Sequence, residues 1–422
     1  MAPTRTGSKR LLRDLNQNIV FNLLVEHGTL SRTELARRSR LPAATITRIC
    51  GEFLTAGLVT EIASEESSGG RRPILLSINP EAGYVIGVKL RQESATIALC
   101  DLSCALKHTC EIQFSAGAAP HHVVDVITGA IKRCASEGGI ALNQVIGVGV
   151  GLSGLIDSQY GLCRYSAILG WQDVELGPAL EFKLHLPVRV DNDVNTLAVA
   201  ERYFGAGRDA ANFLLITIGR GVGLGIVIRG EIYRGGRGGA GEFGHTTADT
   251  SPGAPLCECG KRGCLEALVS DIGLLQAAEI HIQDGYDETR LMGLIQQARA
   301  GDKKLQAVFN RAGNALGIAV ANMVNIFDPD RVILNGEGLR AGELLLKPMY
   351  ATLPAHIFGP ARQPDFVVGS IDETIWARGA ASLILHEMFQ APIYEEDEET
   401  LAIDHLLTQA TRASHRKKRK EG

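Results

Sequence analysis

Val145-Ile146-Gly147-Val148-Gly149-Val150-Gly151-Leu152-Ser153-Gly154 and Phe213-Leu214-Leu215-Ile216-Thr217-Ile218-Gly219-Arg220-Gly221-Val222-Gly223-Leu224-Gly225 decide how this chain is read. Each couples an apolar strand to a glycine-rich segment, and they lie about 70 residues apart. That spacing predicts two similar lobes with a site in the cleft between them. Around them strands and helices alternate: YVIGVKL (84–90), TIALCDL (96–102), a polar helix over about 121–137, and VRVDND (188–193). The result is an α/β body that begins after Asn79-Pro80.

Toward the N-terminus the period changes. From Leu11 to about Leu58 the pattern is helical, Glu65 to Gly70 breaks it, and Ile74 to Ile78 reads as a strand. Helices followed by a strand pair predict a winged helix over residues 1–80. Ser31-Arg32-Thr33-Glu34 reads as a capping box, Arg40-Leu41 as a tight turn, and Pro42 as the first residue of a second helix that Gly57 ends. Ile46, Ile49, Cys50, Phe53 and Leu54 fall on one buried stripe, with Thr45, Thr47 and Arg48 off it. Small, hydrogen-bonding and basic side chains at a helix start suit the major groove, and Arg71 and Arg72 after Gly69-Gly70 suit phosphates or the minor groove. Ser31, Ala43, Thr45, Thr47, Arg48, Arg71 and Arg72 are therefore the candidate DNA contacts. The other reading is a capped helical hairpin for dimerisation beside a charged loop. Net charge is −4, yet residues 1–72 carry eleven Lys/Arg against seven Asp/Glu. A basic head on an acidic body suits nucleic acid.

At 422 residues and 45% hydrophobic content the chain is expected to fold as two or three domains. Nothing approaches the roughly 18 uninterrupted apolar residues of a membrane span, and MAPTRTGSKRLLRD lacks an apolar signal core, so a cytoplasmic protein with no membrane partner is expected. Nine cysteines, six of them scattered, make no secreted disulfide framework. The other three, Cys257, Cys259 and Cys264, lie close together twelve residues after His245. Three thiolates and an imidazole form the closed four-ligand set of structural zinc, with no open position for hydrolytic water. Reduced buried cysteines beside an unrelated histidine are the alternative.

Asn192 and Asp193 end a strand, Glu242 and His245 sit in a glycine-rich loop, and Glu266 follows the cysteines. Separately each reads as a turn residue; converged, Asn192, Asp193, Glu242, His245 and Glu266 make a ring of donors and acceptors suited to sugar hydroxyls. Past Phe389 an acidic run (395–399) and a basic end (415–420) read as a mobile tail.

Five segments in this order, GWQDVELGPALEFKLHLPVRVDNDVNTLAVAERYFGAG (170–207), TIGRGVGLGIV (217–227), GGAGEFGHT (238–246), CECGKRGCLE (257–266) and FDPDRVILNGE (327–337), carry a resemblance to the ROK family of repressors, open reading frames and sugar kinases. The head ending in GGRRP (69–73) resembles that of the family's repressors, the xylose and N-acetylglucosamine repressors being the nearest type. The resemblance spans Leu11 to about Phe389. It implies a winged helix-turn-helix followed by a two-lobed, actin-like (ribonuclease H-like) sugar-kinase fold: residues 1–80 for the reader, 81–192 for the first lobe, 193–392 for the second with its last helix returning to the first, and 393–422 as a charged, disordered tail. It also implies sugar contacts at Asn192, Asp193, Glu242, His245 and Glu266, zinc at His245, Cys257, Cys259 and Cys264, and a catalytic base at Asp193 if the chain is a kinase.

The kinase pattern is incomplete. Family kinases open the first lobe with a strand and a DxGGT-like turn, and this chain has Gly87-Val88-Lys89-Leu90-Arg91-Gln92 there. Lysine replaces the acidic residue, and Arg91 and Gln92 stand where backbone must approach phosphate. Arg220 replaces threonine in the second loop, and Ser153 stands where the family often has proline. The expected function is a sugar-responsive repressor without kinase activity, a homodimer or homotetramer released from operator DNA by a sugar between its lobes. An ATP-dependent sugar kinase with an appended DNA-binding domain and a regulator controlled by a protein partner are the alternatives.

Overall fold

The computed structural model describes residues 9–63, 74–279, 288–359, 363–369 and 374–389. Helix α1 (Lys9–His27), β1 (Thr29–Ser31), α2 (Arg32–Ser39), α3 (Ala43–Ala56), β2 (Val59–Ala63) and β3 (Ile74–Ile78) build the head, with antiparallel strand order β1-β3-β2. Ser31 starts α2 by accepting the Glu34 amide, but the reciprocal half of the expected capping box is missing. The Glu34 carboxylate instead takes Arg37 and Arg38, which hold it down at about 2. Arg40 ends α2 in the left-handed region, and Pro42 stands one residue outside α3 rather than inside it. Gly57 closes α3 at φ 73°. Ile46, Ile49, Cys50 and Phe53 are fully buried while Leu54 is only partly so, and Phe53 meets Phe21 edge-on at 6.0 Å between ring centroids.

The first lobe contains β4 (Tyr84–Leu90), β5 (Ser94–Asp101), β6 (Leu106–Gln113), α4 (Pro120–Glu137), β7 (Val145–Leu152), a small sheet of β8 (Leu155–Asp157), β9 (Leu162–Ser166) and β10 (Trp171–Val174), then α5 (Leu176–Leu184) and β11 (Val188–Asn192). Its main sheet runs β6-β5-β4-β7-β11. Helix α6 (Asp193–Phe204) leads to β12 (Phe213–Ile218), β13 (Val222–Ile228), β14 (Glu231–Ile232), α7 (Glu266–Val269), α8 (Asp271–Ala277), α9 (Glu288–Arg299), α10 (Lys303–Phe327), β15 (Arg331–Asn335), α11 (Glu343–His356), β16 (Asp365–Val368) and α12 (Thr374–Phe389). The second sheet runs β14-β13-β12-β15-β16. In both sheets the first three strands pair antiparallel and the last two join parallel. The two lobes thus repeat one topology, an actin-like pair, but the two glycine-rich segments hold different places in it: the first ends β7, fourth strand of its lobe in chain order, and the second joins β12 to β13, the first two strands of theirs.

The helices after each sheet's last strand cross over. Helix α6 leaves β11 yet buries Val194, Leu197 and Ala198 against Phe213, Leu215 and Val227 of the second sheet. Helix α12 leaves β16 yet buries Ala377, Ala381 and Ile384 against Val85, Ala98 and Ile146 of the first. Two glycines permit that approach: a Cβ on Gly87 would overlap the Ala377 carbonyl, and one on Gly149 the Ala380 carbonyl. Gly379 and Ser382 bring α12 against the α6 backbone at Thr196 and Leu197. Among the described residues no helix is long and apolar enough to cross a membrane.

Two consequences are measurable. Gly149→Ala is expected to lower the melting temperature sharply, a cost of about 1–3 kcal/mol or more, because backbone rather than a flexible side chain must give way; an unchanged calorimetric transition would contradict the packing described. His386, buried on α12 against the Tyr203 hydroxyl at 2.9 Å, is pushed down to about 3 by burial and by the charges of Arg234 and Arg202. The unfolded chain therefore takes up this proton first, and stability falls as pH drops from about 6.5 toward 3. His386→Gln should flatten that slope in denaturant titrations.

Candidate functional site

On the reader, Ala43, Ala44, Thr47 and Arg48 are exposed at the start of α3 and Thr45 is half-buried. The Thr47 hydroxyl donates to the Ala43 carbonyl at 2.9 Å, Arg48 pairs with Glu52 at 2.7 Å, and the Ser31 hydroxyl is engaged in the α2 cap. Arg71 and Arg72 lie outside the described residues, as does the tail.

Strand β11 delivers Asp191 and Asn192 to the inner edge of the first sheet, and α6 starts at Asp193. The Asn192 side chain is committed to local structure: Oδ1 accepts the Val194 amide at 2.9 Å, and Nδ2 donates to the Gly154 carbonyl at 3.1 Å. Buried Asp191 accepts from Asn195 and, at 2.7 Å, from Arg234 in the loop after β14, an ion pair joining the lobes. Asp193 Oδ1 accepts the Val194 amide, and Oδ2 is ion-paired with Lys89 Nζ. Both members are nearly buried, and Lys89 also lies 4.9 Å from the centre of the Trp376 ring. The lysine that breaks the kinase pattern therefore neutralises the residue proposed as base.

The loop after β14 turns at Gly241, φ 90°, packed on the Leu224 carbonyl, and buried Phe243 anchors it. It sets Glu242 Oε2 3.9 Å from His245 Nε2, while His245 Nδ1 faces Cys257 Sγ at 3.7 Å and Glu266 Oε1 at 3.9 Å. Glu266, first residue of α7, accepts the Val222 amide at 3.0 Å and ties the second glycine loop to the cysteine segment. Although the Glu242 side chain is half exposed at the cleft mouth, partial desolvation by the surrounding protein pushes its carboxyl above its ordinary range, partly offset by His245 and reinforced by the charges of Glu266 and Asp193. Asp193, Glu242, His245 and Glu266 thus converge, with the Asn192 side chain turned to the helix cap beside them.

The donor atoms of His245, Cys257, Cys259 and Cys264 all lie within 4.8 Å of one another, and the Sγ atoms of Cys259 and Cys264 are 3.7 Å apart. Tetrahedral thiolates at about 2.3 Å from one ion are separated by roughly 3.8 Å, so this set has the dimensions of a closed metal site. Gly260 at φ 86° and Gly263 at φ 76° make the turns, and a Cβ on Gly263 would overlap the Asp249 carbonyl.

At the other end of the cleft, exposed Arg220 donates to Gln92 Oε1 at 3.0 Å across the lobes. Arg91 is held by Thr96, and the Glu337 carboxylate lies where a Cβ on Gly219 would meet it. Sequence reading recognised Lys89, Arg91, Gln92 and Arg220 as departures but not their partners, and it missed Arg234 and Glu337. Lys89 and Asp193 are 104 residues apart, and no spacing rule reaches that far.

Residues 85–387 match the family model described as "ROK family". A putative xylose repressor from Caldicellulosiruptor is 27% identical over 399 residues, covering 92% of this chain and all of the relative. The crystal structure of a ROK family transcriptional regulator, a homolog of the Escherichia coli MLC protein, superposes with TM-score 0.77 and 25% identity over 95% of this chain and 100% of its own. A ROK family glucokinase from Streptomyces griseus, solved with glucose and AMPPNP, gives 0.60 and 28% over 71% of this chain and 99% of its own. The shared two-lobed fold, the converged cleft and the match over residues 85–387 lead to one conclusion: this chain belongs to the ROK family.

Proposed function

We propose that this protein is a sugar-responsive transcriptional repressor that binds operator DNA through α3 and leaves it when a sugar occupies the cleft. The ion pair of Lys89 with Asp193 carries this reading. Lys89 Nζ and the Val194 amide already engage the two carboxylate oxygens of Asp193, so the position a kinase needs as base is occupied by contacts of the protein itself. Arg91 and Gln92 put side chains where a phosphate-binding turn needs bare backbone, and Glu337 sets a negative charge beside Gly219, which disfavours phosphate. Sugar binding without phosphoryl transfer is the function these residues support.

In this reading Glu242, His245 and Glu266 hold the sugar hydroxyls together with Asp193, and Asn192 fixes the corner they stand on. Zinc is held by His245 Nδ1, Cys257, Cys259 and Cys264, leaving His245 Nε2 for the cleft. The metal orients the imidazole and knits the loop and knuckle together. Ala43, Thr45, Thr47 and Arg48 enter the major groove, with Ser31, Arg71 and Arg72 as flanking contacts. One reader covers few base pairs, so a homodimer or homotetramer on a palindromic operator, in the cytoplasm, completes the reading.

Three measurements test it. A gel shift on the gene's own upstream DNA should show a specific complex that one member of a panel of pentoses, hexoses, N-acetylhexosamines and their phosphates dissolves. Arg48→Ala should weaken that complex by about 1–3 kcal/mol, and DNA binding that no sugar alters would overturn the effector reading. A coupled ADP-release assay over the same panel should stay at the background of Asp193→Ala; turnover above it would make the protein a kinase. Elemental analysis should find one zinc per chain, lost in Cys264→Ser together with sugar affinity and several degrees of melting temperature, and a metal-free wild type of unchanged stability would remove zinc from the account.

A further inference from the structure

The head touches the two lobes by different means. Toward the first lobe there is no boundary: Phe21, Leu24 and Phe53 share one buried core with Val85 and Cys100 of the sheet and with Leu385 of α12. Toward the second lobe, Arg208 in the loop following α6 donates through Nη2 to the carbonyls of Val25 at 2.7 Å and Glu26 at 2.5 Å, in the last turn of α1. A helix leaves its last four carbonyls unpaired and carries partial negative charge at that end, so a guanidinium there is a matched cap. The loop is fastened to the second lobe, since Arg202 of α6 donates to the Arg208 carbonyl and Arg331 of β15 to that of Ala206.

Helix α6 spans the route. It begins at Asp193 in the cleft and ends at Phe204, which with Tyr203 packs against the core shared by head and first lobe. Twelve helical residues reach about 18 Å. The head and the first lobe share one buried core, so a shift of the second lobe relative to the first would be felt at α1 where Arg208 holds it.

We propose that Arg208 is the positioning residue through which the second lobe acts on the DNA reader. Sugar-driven rotation of that lobe about the α6 and α12 pair makes or breaks the Arg208 cap, and so resets the end of α1 and the placement of α3 in an oligomer. This inference rests on the sugar-responsive reading above.

The test measures operator affinity with and without the inducing sugar, and sugar affinity by calorimetry, in full-length wild type, Arg208→Ala and Arg208→Lys. Arg208→Ala is expected to bind sugar within about two-fold of wild type but to lose most of the sugar's effect on DNA affinity, a coupling that typically lies between about 5- and 150-fold. Arg208→Lys should restore part of it, because an ammonium still caps the carbonyls. Hydrogen exchange should show the last-turn amides of α1 less protected in Arg208→Ala. Full coupling in Arg208→Ala, or unchanged exchange there, overturns the proposal. A wild type whose DNA binding no sugar changes refutes the sugar-responsive reading itself, and that failure appears without any variant.

Discussion

Everything in this molecule depends on α12 lying directly on the glycines of the first sheet. A side chain on Gly87 or Gly149 would lift the helix from the strands, since its backbone carbonyls already fill the space a Cβ needs. Once seated, α12 gives one side to that sheet and the head, and places Trp376 and Leu383 in the core that α6 shares with the second sheet. The interior is close-packed, so a helix clamped this way has few alternative positions. The α6 and α12 pair is consequently the axis on which the lobes meet, with the cleft at one end and the reader at the other.

The cleft is an acidic site with one compensating charge. Asp193, Glu242 and Glu266 converge, and partial desolvation together with the neighbouring carboxylates raises the Glu242 carboxyl. Lys89 answers one of the three carboxylates from within the first sheet, and the Trp376 face adds a favourable contact for its ammonium. Neutral hydroxyl groups donate readily to carboxylates, whereas phosphates are repelled by them, so the charge of the cleft suits the sugar-binding reading proposed above. Across the mouth, the Arg220 guanidinium donates to the Gln92 side chain and so connects the lobes.

The histidine–cysteine cluster and the cleft share His245. Its Nδ1 faces the thiolates and its Nε2 faces Glu242, so one imidazole serves two neighbours without conflict. The assignment of His245 to both sets is consistent only because the two ring nitrogens point in different directions, a fact of side-chain orientation that residue order does not carry.

The sequence by itself determined the parts governed by short range. Alternation identified the strands of an α/β body, though the glycine segments read as matching halves sit on unlike strands of the two lobes; the helical stripe from Ile46 to Phe53 and the αL glycine at Gly57 identified the reader, and three cysteines within eight residues identified the knuckle. Local rules misjudged details where a neighbour competes: Glu34 chose two arginines over its helix cap, and Pro42 stayed outside the helix it introduces. What only the tertiary structure decided is which distant groups meet. Lys89 finds Asp193 because β7 aligns β4 beside β11 in one sheet, whereas Arg234 finds Asp191 and Arg208 finds the end of α1 where the second lobe lies against the first lobe and the head, each pair more than 40 residues apart in the chain. Charges pair according to distance in space, and the distance between two residues of a folded chain is set by the packing of the helices and sheets that carry them.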